Sequence, residues 1–126
     1  MKNPMIAVLT VVSILVGLLF LTSGAGKLAN PIGAAKLFAH FGYAGWFATV
    51  IGVVEVLGGI SLVIPRISHV GAGVLGAVML GAAYSHLQAA EWNRVAFTVV
   101  LFATLVIIGM ARWKNLQRKT GSAPAT

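Results

Sequence analysis

Cysteine is absent, and acidic residues nearly so: the 126-residue chain has two, Glu55 and Glu91. Without cysteine there is no disulfide scaffold, zinc ribbon, thiolate-bound Fe–S cluster or thiol redox chemistry. Charged residues of either sign make up 9% of the chain, where a soluble domain carries about a quarter. Hydrophobic residues make up 59%, which excludes disorder for most of the chain. The net charge of +7 comes from nine Lys and Arg. They are too thinly spread through apolar sequence to form a nucleic-acid surface. What remains is a single-domain integral membrane protein.

Four long apolar segments stand out: Met5–Leu28, Ala44–Ile64, His69–Ala90 and Arg94–Trp113. Each is on the order of 20 residues, enough to cross about 30 Å of hydrocarbon as a helix. None alternates with period two, so helices are expected and barrel strands are not. Lys2 with Ser23-Gly24-Ala25 resembles a signal peptide, but the apolar run is longer than such a segment, and a retained span is expected. Between the first two spans, Asn30 followed by Pro31 predicts the start of a short helix. Its Lys36 and His40 fall on one face and Leu37, Phe38 and Phe41 on the other, which suits the membrane interface. The expected architecture is all-α: a four-transmembrane-helix bundle over 1–113, with this interfacial helix between the first two spans. A basic, frayed tail is expected over 114–126.

Four spans put both termini on one side, with Lys2, Arg66, Arg112, Lys114, Arg118 and Lys119; the other side has Lys27, Lys36 and Arg94. That asymmetry predicts cytoplasmic termini. Small residues mark helix contact faces in lipid. Such faces run through Ser13, Gly17, Phe20, Gly24 and Lys27 in the first span, with Ser23 beside them, and through Ala48, Gly52, Glu55 and Gly59 in the second. A third runs through Gly73, Ala77, Gly81 and Ser85. The fourth span reads as the most lipid-exposed. Gly71–Gly76 matches G-x-G-x-x-G, but inside an apolar helix it has no strand-to-helix turn to cradle a dinucleotide.

Glu55 is the main chemical candidate, because an ionisable side chain near mid-membrane is costly to keep there. Unpaired, it would carry a proton and act as a donor. The alternatives are a proton-relay or ligand-binding carboxyl and a structural clamp between helices. His86, Tyr84, Lys27 and Ser23 are the further ligand-binding candidates. No metal set is expected, since His69 lies opposite His40 and His86 and no acid is spaced with them as in known metal motifs. Counted from the inner ends of the spans, Glu55 lies at roughly 14 Å, His86 at roughly 26 Å and Lys27 at roughly 33 Å. Straight helices would then keep Glu55 away from Lys27, whereas tilt or a re-entrant Ala29–Tyr43 segment would shorten the gap. The expected cavity opens to the outer half, with Glu55 at its floor and Lys27, Tyr84 and His86 higher up. Glu91 and Arg94 are spaced to form a weak exposed pair.

Phe20-Leu21-Thr22-Ser23-Gly24-Ala25-Gly26-Lys27-Leu28 resembles the first-helix motif of DoxX proteins, F-x-x-S-G-x-x-K-L. Gly52–Arg66, with Glu55, resembles the family's second-helix motif, and Met79–Leu87 the third-helix signature of its DoxX-like branch. The resemblance covers roughly residues 5–110, and its three motifs stand in order. It implies a small bacterial or archaeal four-helix protein of the cell (inner) membrane, with Lys27, Glu55 and His86 as the motif's polar residues. The family's namesakes are subunits of a thiosulfate:quinone oxidoreductase, and no agreed catalytic set comes with the motif. The function expected on this basis is an accessory or quinone-interacting subunit with a redox partner protein and no intrinsic cofactor. The alternatives are a carrier or binding module for a proton or small lipophilic molecule, and a scaffold that assembles, as a homo-oligomer among others, through small-residue faces.

Overall fold

The computed structural model describes residues 4–121, with side chains through 118. Five helices follow in order: α1 (Pro4–Ala29), α2 (Pro31–His40), α3 (Gly45–Val63), α4 (Ser68–Gln88) and α5 (Trp92–Gly121). Four of them, all but α2, are long and apolar enough to cross a membrane. The short helix starts where Asn30 and Pro31 predict: Asn30 Oδ1 accepts from the Gly33 amide at 3.1 Å, and Pro31 stands at a position with no amide partner to lose. It ends at His40 with Phe41 as its C-cap, and Gly42 just beyond has a φ of 84°, which suits glycine.

The tail departs from expectation. The segment after Trp113 continues α5 as helix through Gly121; residues 122–126, and Lys2 in the orientation count, lie outside the described residues.

The helices associate in two backbone-close pairs. In the first, α1 runs antiparallel to α3 with glycine set against glycine. A Cβ added at Gly24 would stand 2.5 Å from the Gly52 carbonyl oxygen, and one at Gly59 would stand 2.6 Å from that of Gly17. Ser13, Gly17, Phe20 and Gly24 are all buried, as are Ala48, Gly52, Glu55 and Gly59. Both small-residue faces thus lie where the spacing puts them. In the second pair, Gly109 of α5 meets Ala72 of α4. The pairs join where Leu75 fills the space over Gly58 and Gly71 abuts Ser61. Phe20, Leu62, Leu75, Leu105 and Ile108 complete a core drawn from all four spans.

The third predicted face is a correction. Gly73, Ala77 and Gly81 are exposed, and a Cβ at Gly73 or Gly81 would meet nothing within 4 Å. The buried residues of α4 are Ser68, Gly71, Ala72, Leu75, Gly76, Met79 and Ser85, so Ser85 alone of the predicted face is enclosed. Glycine occurs on several sides of this helix, so small size alone did not select the packed one. Exposure of the fourth span is shared: 17% of the apolar window is buried in both α1 and α5, against 39% in α3 and 33% in α4.

Candidate functional site

Glu55 lies ten residues after the start of α3, about 15 Å along its axis, and is 4% exposed. Lys27 and Ser23 reach it from α1, one helical turn apart. The Lys27 ammonium lies 2.7 Å from Glu55 Oε1, off the line a hydrogen bond requires, so that oxygen keeps acceptor capacity. Ser23 Oγ donates to Glu55 Oε2 at 3.1 Å and accepts from Lys27 Nζ at 3.0 Å. The three groups close a ring. Gly52 leaves room for the Lys27 side chain, whose Cβ would be 3.1 Å from a Cβ there. Lys27 also stands in the last turn of α1, where a cation complements the helix dipole.

This contact overturns the expected separation of Glu55 and Lys27, and with it the unpaired carboxyl. The depth estimate set the inner ends of the two helices flush, which would put Gly17 level with Gly52. Gly17 lies against Gly59 instead, a shift of seven residues, or about 10 Å at 1.5 Å per residue. Two long side chains span what remains.

Tyr84 and His86 make their contacts elsewhere. Ser85 donates to the Gly81 carbonyl oxygen at 2.9 Å, so its one hydroxyl proton is committed and Tyr43 is the donor in their 2.6 Å bond. Tyr84 borders a cleft of about 180 Å³ with His40, Tyr43, Ser85 and Gln88, between α2 and the end of α4. His86 Nδ1 lies 2.8 Å from Glu91 Oε1, and the Phe41 ring packs nearly perpendicular to the same imidazole, with centroids 5.3 Å apart. A carboxylate only accepts, so Nδ1 bears the proton. Glu91 therefore pairs with His86 and not with Arg94 as its spacing suggested. His40 Nε2 stands 3.9 Å from its other oxygen. Among the described residues, no three such side chains converge in a way that could hold a metal ion.

Residues 11–108 match the DoxX-like family model, well over half of the chain. The chain belongs to the DoxX-like family. Among curated proteins and among solved structures, none matches it. The matched region of this DoxX-like protein includes Ser23, Lys27, Glu55, Tyr84 and His86, and stops short of Arg112. Arg112 is a residue that sequence reasoning treated only as a surface charge. It is 7% exposed and donates to Thr10 Oγ1 at 3.3 Å. Its spacing from the buried Leu105 and Ile108 was the available signal.

The Glu91 contact gives the DoxX-like protein an acid-sensitive turn. The His86 hydrogen bond, aided by the nearby charges of His86, Arg94 and His40, holds the Glu91 carboxyl below its ordinary value of 4.5. A carboxylate lowered on folding stabilises fully above its unfolded value, and that contribution is lost as pH falls through the folded one. The protection of the amides of residues 85–91 in detergent, taken relative to their intrinsic exchange rates, should therefore hold above the ordinary carboxyl value of 4.5 and fall as the pH drops below it. Glu91→Gln should abolish that step; an identical step in the variant would assign it to another group.

Proposed function

We propose that this DoxX-like protein is an accessory subunit of a membrane redox system, and that Lys27, Ser23 and Glu55 receive the head group of a quinone-like ligand. One observation carries the reading. The Lys27 ammonium has three N–H groups; one serves Ser23, one faces Glu55, and the side chain is still 20% exposed. The remaining N–H can donate to a carbonyl oxygen arriving from the lipid phase. Glu55, with acceptor capacity left on Oε1, can take or return a proton beside it. The chain has no cysteine and no flavin or Fe–S motif, so the electrons come from a partner protein. The resemblance to subunits of a thiosulfate:quinone oxidoreductase favours the same ligand class. The excess of Lys and Arg on the side of the termini favours cytoplasmic termini in a bacterial or archaeal cell membrane.

A second reading, assembly, rests on the exposed face of α4. Gly73, Gly76 and Ala77 line a shallow groove of about 500 Å³ with Phe102 and Gly109 of α5. Such a face admits close approach of another helix, from a second copy or a partner.

Titration of the purified protein with decylubiquinone, followed by tryptophan quenching, tests the first reading. Saturable binding is expected, weakened at least about tenfold in Lys27→Met and Glu55→Gln, the effect of losing one charge-assisted hydrogen bond. Gly73→Leu should bind normally and lose self-association or partner capture if the second reading holds as well. Absence of saturable binding, or equal binding by all variants, would reject the quinone site.

A further inference from the structure

The end of the bundle that carries the termini holds buried polar atoms without partners. Ser13 Oγ, Ser68 Oγ and Arg112 Nε are all enclosed and unbonded. Ser13 is 1% exposed, Ser68 0% and Arg112 7%. They occupy one level of the fold. Arg112 of α5 touches Thr10 of α1, and Ser13 stands on the buried face of α1 three residues further on. His69, next to Ser68, stacks on Trp113, next to Arg112, with ring centroids 5.3 Å apart.

Charge balance is the stronger observation. A guanidinium withdrawn from water needs a counter-anion, and the chain has only two carboxyl side chains to offer. Glu55 is held by Lys27 and Ser23, and Glu91 by His86. Ser23 lies thirteen residues along α1 from Thr10, about 20 Å of helix. Neither acid can neutralise Arg112. The start of α4 adds to the deficit: its N-cap is Ile67, which provides no side-chain cap, and a helix start attracts negative charge.

We propose that Arg112, Ser13, Ser68 and Thr10 bind a phosphate-type oxyanion between α1, α4 and α5 at this end of the bundle. The oxyanion is supplied from outside the chain, as a lipid headgroup phosphate or as a free ion. The guanidinium provides charge and a planar fork of donors matched to phosphate oxygens, and the two serine hydroxyls are the further buried donors. Arg66 and Lys114 lie toward the same end of the bundle and favour anions near it. The site is separate from Lys27, Ser23 and Glu55, and does not depend on the role proposed for them.

Calorimetric titration of the full-length protein in uncharged detergent tests this with three probes: inorganic phosphate, dihexanoylphosphatidylglycerol and dihexanoylphosphatidylcholine. One saturable site is expected for an anionic probe. Arg112→Gln should weaken it at least tenfold and Arg112→Lys less, while Arg118→Gln, at an exposed position, changes it less than twofold. Binding of inorganic phosphate assigns the site to a free oxyanion. Binding of phosphatidylglycerol alone assigns it to a lipid headgroup. Should Arg112→Gln fail to fold, the Ser13→Ala/Ser68→Ala double variant carries the test, with a several-fold loss expected. No saturable binding to the wild type, or equal weakening by Arg112→Gln and Arg118→Gln, overturns the proposal.

Discussion

Gly24→Ala is expected to destabilise the protein by about 2–3 kcal/mol, the upper part of the range for forcing one extra methyl group into packed structure. The sign is the informative part. In a helix interior, glycine to alanine ordinarily stabilises by about 1 kcal/mol, because alanine has less backbone freedom to lose. At Gly24 the new Cβ would stand 2.5 Å from a backbone oxygen of Gly52 and 2.8 Å from the backbone nitrogen of Val56. Backbone atoms cannot rotate away, so α1 must move off α3. Gly26 provides the control two residues away, since a Cβ there meets nothing within 4 Å. Gly26→Ala should raise stability by up to about 1 kcal/mol. Unfolding in detergent measures both, and opposite signs are expected from the two variants.

Lys27→Met should have an effect of similar size for an electrostatic reason. It leaves the Glu55 carboxylate 4% exposed and without its cation. Breaking a buried pair from one side costs about 3–5 kcal/mol. Glu55→Gln should cost less, about 1–2 kcal/mol, because Lys27 is 20% exposed and its ammonium can turn toward the interface. Lys27→Met/Glu55→Met removes both charges and should recover most of the loss, since a buried pair is seldom more stable than apolar residues of the same volume. The cycle is thus expected to be strongly non-additive. Additive losses would mean that the two groups do not act as a pair. If the double variant is nearly as stable as the wild type, the pair has little value as a clamp, which strengthens the case for a ligand.

Much of the architecture was legible because lipid leaves few choices. Apolar length defined the spans, and Asn30-Pro31 marked the start of α2 in the residues themselves. The buried faces of α1 and α3 were legible for a related reason: each concentrates its small and polar residues, Gly17 and Gly24 or Gly52 and Glu55, on one side. The face of α4 was not, because Gly71 and Gly76 point inward while Gly73 and Gly81 point outward. Choosing between them requires knowing that Leu75 fits over Gly58. Register between helices was equally hidden. Nothing in either span alone states that Gly17 meets Gly59, and that offset brings Lys27 within reach of Glu55. The pairing of Glu91 with His86 depends on how residues 89–91 turn, including Ala90 at a φ of 57°, and the i, i+3 spacing to Arg94 concealed it.

The claim that Lys27, Ser23 and Glu55 form one ligand-responsive group is tested most directly by infrared difference spectroscopy of the wild type with and without decylubiquinone. Bands of the Glu55 carboxyl are identified by their loss in Glu55→Gln. A paired carboxylate that answers a bound carbonyl should show a ligand-induced change in its carboxylate bands, absent from Lys27→Met. Bands of Glu55 that stay unchanged when decylubiquinone is bound would contradict the account and leave the group a clamp between α1 and α3.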